Sequence, residues 1–153
     1  MESSVIETQI ETFLKRKGNI IETFEKDINV LLKQYSVAHE PLQTRRKSNY
    51  SAYLKLKRKG LLDNSEVTPE ILKNILDIYA ARIIVGSVEE CYIVLGLIQT
   101  HFSILQEEFH DYISNPKPNG YKSIHVLINY MDTTLEIQIR TKEMHEFNEF
   151  GPA

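Results

Sequence analysis

The 153-residue sequence is short of cysteine, of charge of one sign and of long apolar runs, and each shortage excludes a class of protein. Its single cysteine, Cys91, rules out an intramolecular disulfide and any thiolate cluster for zinc. The five histidines are scattered, and the pair His110-Asp111 has no partner histidines at ligand spacing, so a His-Asp phosphohydrolase is set aside. A formal net charge of −3 excludes wholesale attraction to nucleic acid or to a membrane surface. No apolar run approaches membrane-spanning length, and the N-terminus lacks the apolar stretch of a signal peptide. A cytoplasmic protein without a membrane partner is the expectation. There is no internal repeat, no low-complexity segment and no nucleophile triad.

What is present is one domain's length with 42% hydrophobic residues, enough for its own core. Ser4 with Glu7 reads as a capping box, and Ile6, Ile10, Phe13, Ile20, Phe24, Ile28 and Leu31 recur at helical steps, with Gly18 as a break. A polar stretch from Ser36 to Thr44 follows, then a helix from about Asn49 that Gly60 stops. Thr68-Pro69-Glu70 opens a short helix expected to end near Asp77. The run IYAARIIVG is apolar and β-branched and reads as a buried strand, and Ser87 with Glu90 opens another helix. After an irregular segment to Ser114 come a stiff loop, NPKPNGYK, the strand SIHVLINY, a turn at 131–133, the strand TLEIQIRT and a helix from about Lys142. Interleaved helices and strands give an α/β (α+β) class with a mixed sheet flanked by helices.

Three groups of residues carry chemistry. In LEIQIR, alternation puts Leu135, Ile137 and Ile139 on one face and Glu136, Gln138 and Arg140 on the other. That polar face either meets water or lines a cleft. Asp77, at the mouth of the most apolar strand, is by itself a turn residue; paired with Glu136 it makes a candidate Mg²⁺ site completed by substrate phosphates. Residues 45–59 hold seven of the eighteen Lys and Arg and no acid. A helix there puts Ser51 and Lys55 on one face, with Arg45 and Lys47 in the lead-in loop within reach of phosphates. A solvated basic helix or a nucleic-acid patch reads equally well from charge alone.

Taken in order, RRKSNYSAYLK, DIYAARIIV with ECYIVLG, DYISNPKPNGYKSIH and LEIQIRTKEMHEFNEFG resemble the synthetase domain of the RelA/SpoT family, the makers of the alarmone (p)ppGpp. The resemblance covers roughly residues 45 to 151. It implies a nucleotidyltransferase-like mixed sheet over 45–153, with 1–44 as a helical segment packed on it. It also implies transfer of the β,γ-pyrophosphate of ATP to the 3′-hydroxyl of GDP or GTP. By the same resemblance Arg45, Lys47, Ser51, Lys55 and Arg82 bind ATP, Asp77 and Glu136 hold Mg²⁺, and Glu136 draws the proton from the 3′-hydroxyl. Tyr121 stacks on guanine, Lys117, Asn119 and His125 position the acceptor, and Gln138 and Arg140 are further cleft residues. The prolines of the loop stiffen that platform in advance of binding. Cations, a metal and positioning are what phosphoryl-type transfer asks of a protein.

Three departures stand against the pattern. The family shows Arg-x-Lys-Asp or Glu-x-Asp-Asp where this chain has Glu108-Phe109-His110-Asp111. Strict alternation from Asp77 sets Arg82 on the opposite face, so one of the two lies beyond the regular strand or at a bulge. The chain ends at 151–153 where the family continues into more helix, so a shortened chain is expected. Two alternatives remain open: a related toxin that pyrophosphorylates the 3′ end of tRNA, and a non-catalytic nucleotide sensor. A homo-oligomer is compatible with all three.

Overall fold

The computed structural model describes residues 3–62 and 66–150. The ending at 151–153, on which the shortened-chain expectation rests, lies outside the described residues. Two long strands organise the rest: β5 (Ile124–Tyr130) and β6 (Thr133–Thr141) form an antiparallel hairpin. Their turn puts Met131 and Asp132 at φ 50° and 60°, the left-handed pair whose twist matches a two-residue hairpin. β6 runs parallel to β2 (Tyr79–Val85), which pairs antiparallel with β1 (Gln43–Arg46) at the sheet edge. Two short strands, β3 (Ser103–Ile104) and β4 (His110–Asp111), pair with the far side of β5, giving a mixed six-stranded sheet of order β1-β2-β6-β5-β3 with β4 off that path.

One face of this sheet is apolar through its centre. Ala81, Ile83, Leu135, Ile137, Ile139, Val126 and Ile128 are buried there in one core with the helices. α2 (Ile20–Gln34) contributes Phe24 and Ile28, and α5 (Val88–His101) contributes Cys91, Val94 and Ile98. Each buried isoleucine is worth roughly 1.5–3 kcal/mol relative to exposure. A one-residue slip of β6 would drive Glu136, Gln138 and Arg140 into this core, so the apolar face fixes which side the polar row occupies. α1 (Ser3–Lys15) shares the same core through Ile6 and Ile10 and packs on α3 (Asn49–Arg58). The division drawn after residue 44 therefore falls inside β1.

Local signals acted largely as read. Gly18, at φ 73°, separates α1 from α2, and Gly60, at φ 70°, follows the end of α3. Ser87 accepts from the Glu90 amide at 3.2 Å and opens α5. Thr68 accepts from the Ile71 amide at 3.2 Å and opens α4 (Pro69–Leu72). Four readings are corrected. Ser4 lies inside α1, which already runs at Ser3, and does not cap it. α4 stops at Leu72 and not near Asp77, because the Asn74 side chain donates to the Glu70 and Ile71 carbonyls and competes for them with the next turn. Arg45 belongs to strand β1 and not to a loop. The segment to Ser114, read as irregular, contains β3 and β4, too short to show a period. Among the described residues no helix is long and apolar enough to cross a membrane.

Candidate active site

The register of the sheet assembles the site on the face opposite the core. Gln43, Arg82, Gln138, His125 and His110 are successive partners across β1, β2, β6, β5 and β4, one row from edge to edge. The neighbouring row carries Arg45, Ala80, Glu136 and Leu127. Sequence alternation identified the polar face of β6; only pairing shows that five strands contribute to it. α6 (Lys142–Phe150) walls one end of this face, where Glu149 lies 3.9 Å from Arg82 and His145 faces Arg140 at 3.3 Å.

The row is hydrogen-bonded through Gln138. Its Oε1 accepts from Arg82 Nε at 3.2 Å and Arg140 Nη2 at 2.8 Å, and its Nε2 donates to Glu136 Oε1 at 2.7 Å. Arg82 also donates to Gln43 Oε1 at 2.9 Å. Beneath Arg45, Glu136 and Gln138, with Gln43, Ala80 and Arg82, lies a cavity of ≈ 390 Å³. Larger cavities, one by Ser87, Lys122 and Phe147, one by Phe13, Lys73 and Met131 and one by Glu11, Asn19 and Arg46, lie off this row, and the chemistry favours the smaller one.

Asp77 sits just before β2, which resolves the conflict of faces: it lies beyond the regular strand, and Arg82 within it points to the polar side. Its Oδ1 meets Lys55 at 2.9 Å and its Oδ2 meets Lys47 at 3.3 Å. Burial alone would raise this carboxyl, but Lys55 and then Lys47 hold it below the usual range. The Ser48 hydroxyl caps α3 by accepting from the Ser51 amide at 3.1 Å and donates to the Ser51 hydroxyl at 3.0 Å. Arg46 is drawn away by Glu11 at 2.9 Å. Asp77, Lys47 and Lys55 thus form one cluster, while Glu136 belongs to the Gln138 network; among the described residues the two carboxylates share no hydrogen-bond partner.

The stiff loop forms the other wall. Gly120, at φ 88°, and the Asn119 side chain, which accepts from the Tyr121 amide at 3.0 Å, make the turn. Lys117 lies over the rings of Tyr112 and Tyr121, at 4.9 and 5.3 Å from their centroids. Tyr112 stands edge-on to Tyr121 and His125 and stacks with His110 at 5.4 Å. The Tyr121 hydroxyl accepts from Arg140 Nη2 at 2.7 Å and lies 2.7 Å from His125 Nε2. Burial, then Arg140 and Lys117, push the His125 imidazole down to about 4, so it is neutral at pH 7. In the Glu108–Asp111 segment, Asp111 accepts from Tyr92 and from the Ile113 and Ser114 amides, so it holds a turn, while His110 joins the polar row. The Cys91 thiol is buried and pushed up to about 12, which removes it as a nucleophile.

Sequence reasoning missed Gln43, Tyr112, His145 and Glu149. Gln43 opens β1 and Tyr112 follows β4, strands too short to show alternation, and the two α6 residues reach the site only because that helix folds back over the sheet. The donor chemistry fits a hard divalent cation such as Mg²⁺: Asp77 and Glu136 offer oxygen ligands, and Asp77 already gathers cations. No group of three or more His, Cys, Asp or Glu side chains converges among the described residues, so such an ion needs substrate oxygens to complete its shell.

The family profile described as "Region found in RelA / SpoT proteins" matches residues 44–153. The GTP pyrophosphokinase of Escherichia coli (strain K12) is 40% identical over 138 residues, which are 90% of this chain and 17% of that relative's length. The chain therefore spans about a sixth of that relative. The crystal structure of small alarmone synthetase 2 from Bacillus subtilis matches with a TM-score of 0.73 at 26% identity, covering 91% of this chain and 76% of the other. Small alarmone synthetase 1 from Bacillus subtilis, bound to its product pppGpp, matches in fold with a TM-score of 0.77 at 24% identity, covering 93% and 78%.

Proposed function

The chain belongs to the RelA/SpoT family, and on that premise we propose that it is an alarmone synthetase domain, moving the β,γ-pyrophosphate of ATP to the 3′-hydroxyl of GDP or GTP. The single observation that carries this reading is the hydrogen-bonded chain Arg82–Gln138–Glu136, flanked by the Asp77–Lys47–Lys55 cluster on one side and the Tyr121 wall on the other. In this reading the 3′-oxygen of the acceptor forms a bond to the β-phosphorus of ATP, the bond from that phosphorus to the α-phosphate bridging oxygen breaks, and AMP leaves. Glu136, held by Gln138, takes the hydroxyl proton.

Arg45, Lys47, Ser51, Lys55 and Arg82 are the ATP side. Lys47 and Lys55, gathered on Asp77, turn to phosphates when these arrive, which neutralises charge without covalent work by the protein. Asp77 and Glu136 are the residues that would hold Mg²⁺; when bound, it supplies charge neutralisation on the polyphosphate and orientation of the transferred group. On the acceptor side Tyr121 offers its ring to guanine, with Lys117, Asn119 and His125 around it and Gln138 and Arg140 behind. His125, neutral, serves as a hydrogen-bonding partner and not as a cation. A reducing cytoplasm suits the buried free thiol of Cys91.

The test is to incubate the purified protein with ATP, Mg²⁺ and, in parallel, GDP, GTP or deacylated tRNA. Pyrophosphorylated GDP or GTP appearing with AMP supports the reading. Transfer to tRNA alone replaces it with the toxin activity, and nucleotide binding without AMP replaces it with a sensor.

A further inference from the structure

Among the described residues Arg140 is the only charged side chain the fold buries outright, at 1% exposure, and it has no carboxylate within ion-pair distance. A guanidinium so placed is costly unless its N–H groups are used, so their partners decide its purpose. Nη2 donates to the Tyr121 hydroxyl at 2.7 Å and to Gln138 Oε1 at 2.8 Å. Nη1 faces His145 Nδ1 at 3.3 Å, and Nε faces Ser123 Oγ at 3.4 Å. Burial, then Arg140 and Arg82, hold the His145 imidazole below its ordinary range, and since a guanidinium only donates, Nδ1 accepts.

These contacts dictate orientation downstream. Gln138 takes donors on its oxygen from both Arg140 and Arg82, so its amide cannot flip without facing NH₂ against two guanidinium groups. Its nitrogen is thereby aimed at Glu136. The Tyr121 oxygen accepts from Arg140, which leaves the phenolic proton for His125 Nε2. One nitrogen therefore anchors two directed chains, one ending on the Glu136 carboxylate and the other on the Tyr121 ring.

We propose that Arg140 is the positioning residue of this site: it meets no nucleotide and instead sets, from one guanidinium nitrogen, both the aromatic platform for the acceptor base and, through Gln138, the carboxylate that receives the acceptor's proton. This rests on the function proposed above and departs from it in taking Arg140 out of contact with substrate. The same arrangement ties seating of the acceptor to readiness of the carboxylate.

The experiment compares the native protein with Tyr121→Phe, Gln138→Met, Arg140→Lys, and Tyr121→Phe combined with Arg140→Lys. It reads turnover of ATP with GDP and, separately, GDP affinity by calorimetry. Tyr121→Phe keeps the ring and removes only the accepting oxygen; it raises the GDP KM by roughly tenfold, the worth of one charge-assisted hydrogen bond, and leaves the ATP KM unmoved. Gln138→Met lowers kcat on the order of tenfold with the GDP KM unmoved, since the aim of Glu136 is lost while the bond from Arg140 to the Tyr121 hydroxyl stays. Arg140→Lys shows both effects together, and adding Tyr121→Phe to it changes the GDP KM no further. Additive effects, equal rises in both KM values, or a Tyr121→Phe protein with native GDP affinity would overturn the proposal. If Arg140→Lys does not fold, Tyr121→Phe and Gln138→Met decide by themselves, and unchanged values in either sink it. A native protein that binds GDP or GTP without turnover of either refutes the synthetase reading while the affinity of Tyr121→Phe for that nucleotide still decides the platform; a native protein that binds neither refutes both.

Discussion

Replacing Asp77 with asparagine separates what this carboxylate does for the fold from what it does for the reaction. In the structure it is 22% exposed and paired with Lys55 at 2.9 Å and Lys47 at 3.3 Å, the latter lysine only 14% exposed. Partly exposed ion pairs are worth roughly 0.2–1 kcal/mol each, so the two together stabilise the native state by about 0.4–2 kcal/mol. For a domain of this size their loss lowers Tm by about 1–8 °C. The sign with pH follows from the lowered carboxyl: its folded value lies below the unfolded one, so the stabilisation is complete above about pH 4 and is lost as pH falls through the folded value. Urea titrations of native and Asp77→Asn protein at about pH 7 and about pH 5 should show the same gap, and at about pH 3 a narrower one. Turnover is a different matter. A carboxamide neither offers a charged oxygen to a divalent cation nor gathers two lysines beside the phosphates, and the rate should fall on the order of a hundredfold or more. An Asp77→Asn protein turning over within about tenfold of native would remove Asp77 from the site, and a stability gap that does not narrow in acid would refute the ion-pair account.

Tyr121→Ala should weaken GDP binding by roughly 1–3 kcal/mol, the range for a base stacked on an aromatic ring, and spare ATP, as calorimetry with each nucleotide can show. Since the His125 imidazole is held down to about 4, the native state loses stability as pH falls from about 6.5 toward 4, by at most roughly 3 kcal/mol, and His125→Gln should flatten that slope in urea titrations. Gly120→Ala should cost about 1–2 kcal/mol for its φ of 88° alone, with the new Cβ 2.9 Å from the Phe147 ring; adding Phe147→Ala should recover the clash but not the backbone strain, and full recovery of Tm would refute the assignment. Glu136→Gln should leave Tm within error of native and abolish AMP release; measurable turnover at the native rate would exclude Glu136 as the proton acceptor.

Much of this protein is legible in the chain because its strongest elements are locally consistent. The alternation in 135–140 determined which residues of β6 face the core, since a period of two permits only one assignment once Leu135, Ile137 and Ile139 must be buried. Ser48, Thr68 and Ser87 determined three helix starts through bonds made within one turn. The two-residue turn at Met131 and Asp132 and the loop of prolines, asparagines and Gly120 were equally local. Tertiary structure alone decided what depends on residues distant in the chain. That Gln43 faces Arg82, that Arg82 and Arg140 converge on one amide oxygen, and that Asp77 collects two lysines of the α3 region all require strands and helices to be brought together across 22 to 56 positions of sequence. The short strands β1, β3 and β4 exist because longer neighbours offer an edge to pair with, and four or two residues carry no period of their own. Arg140 shows the difference most plainly: its place on the polar face was written in the alternation of β6, whereas its burial was set by Tyr121 and Ser123 of the loop before β5 and by His145 of α6 closing over it.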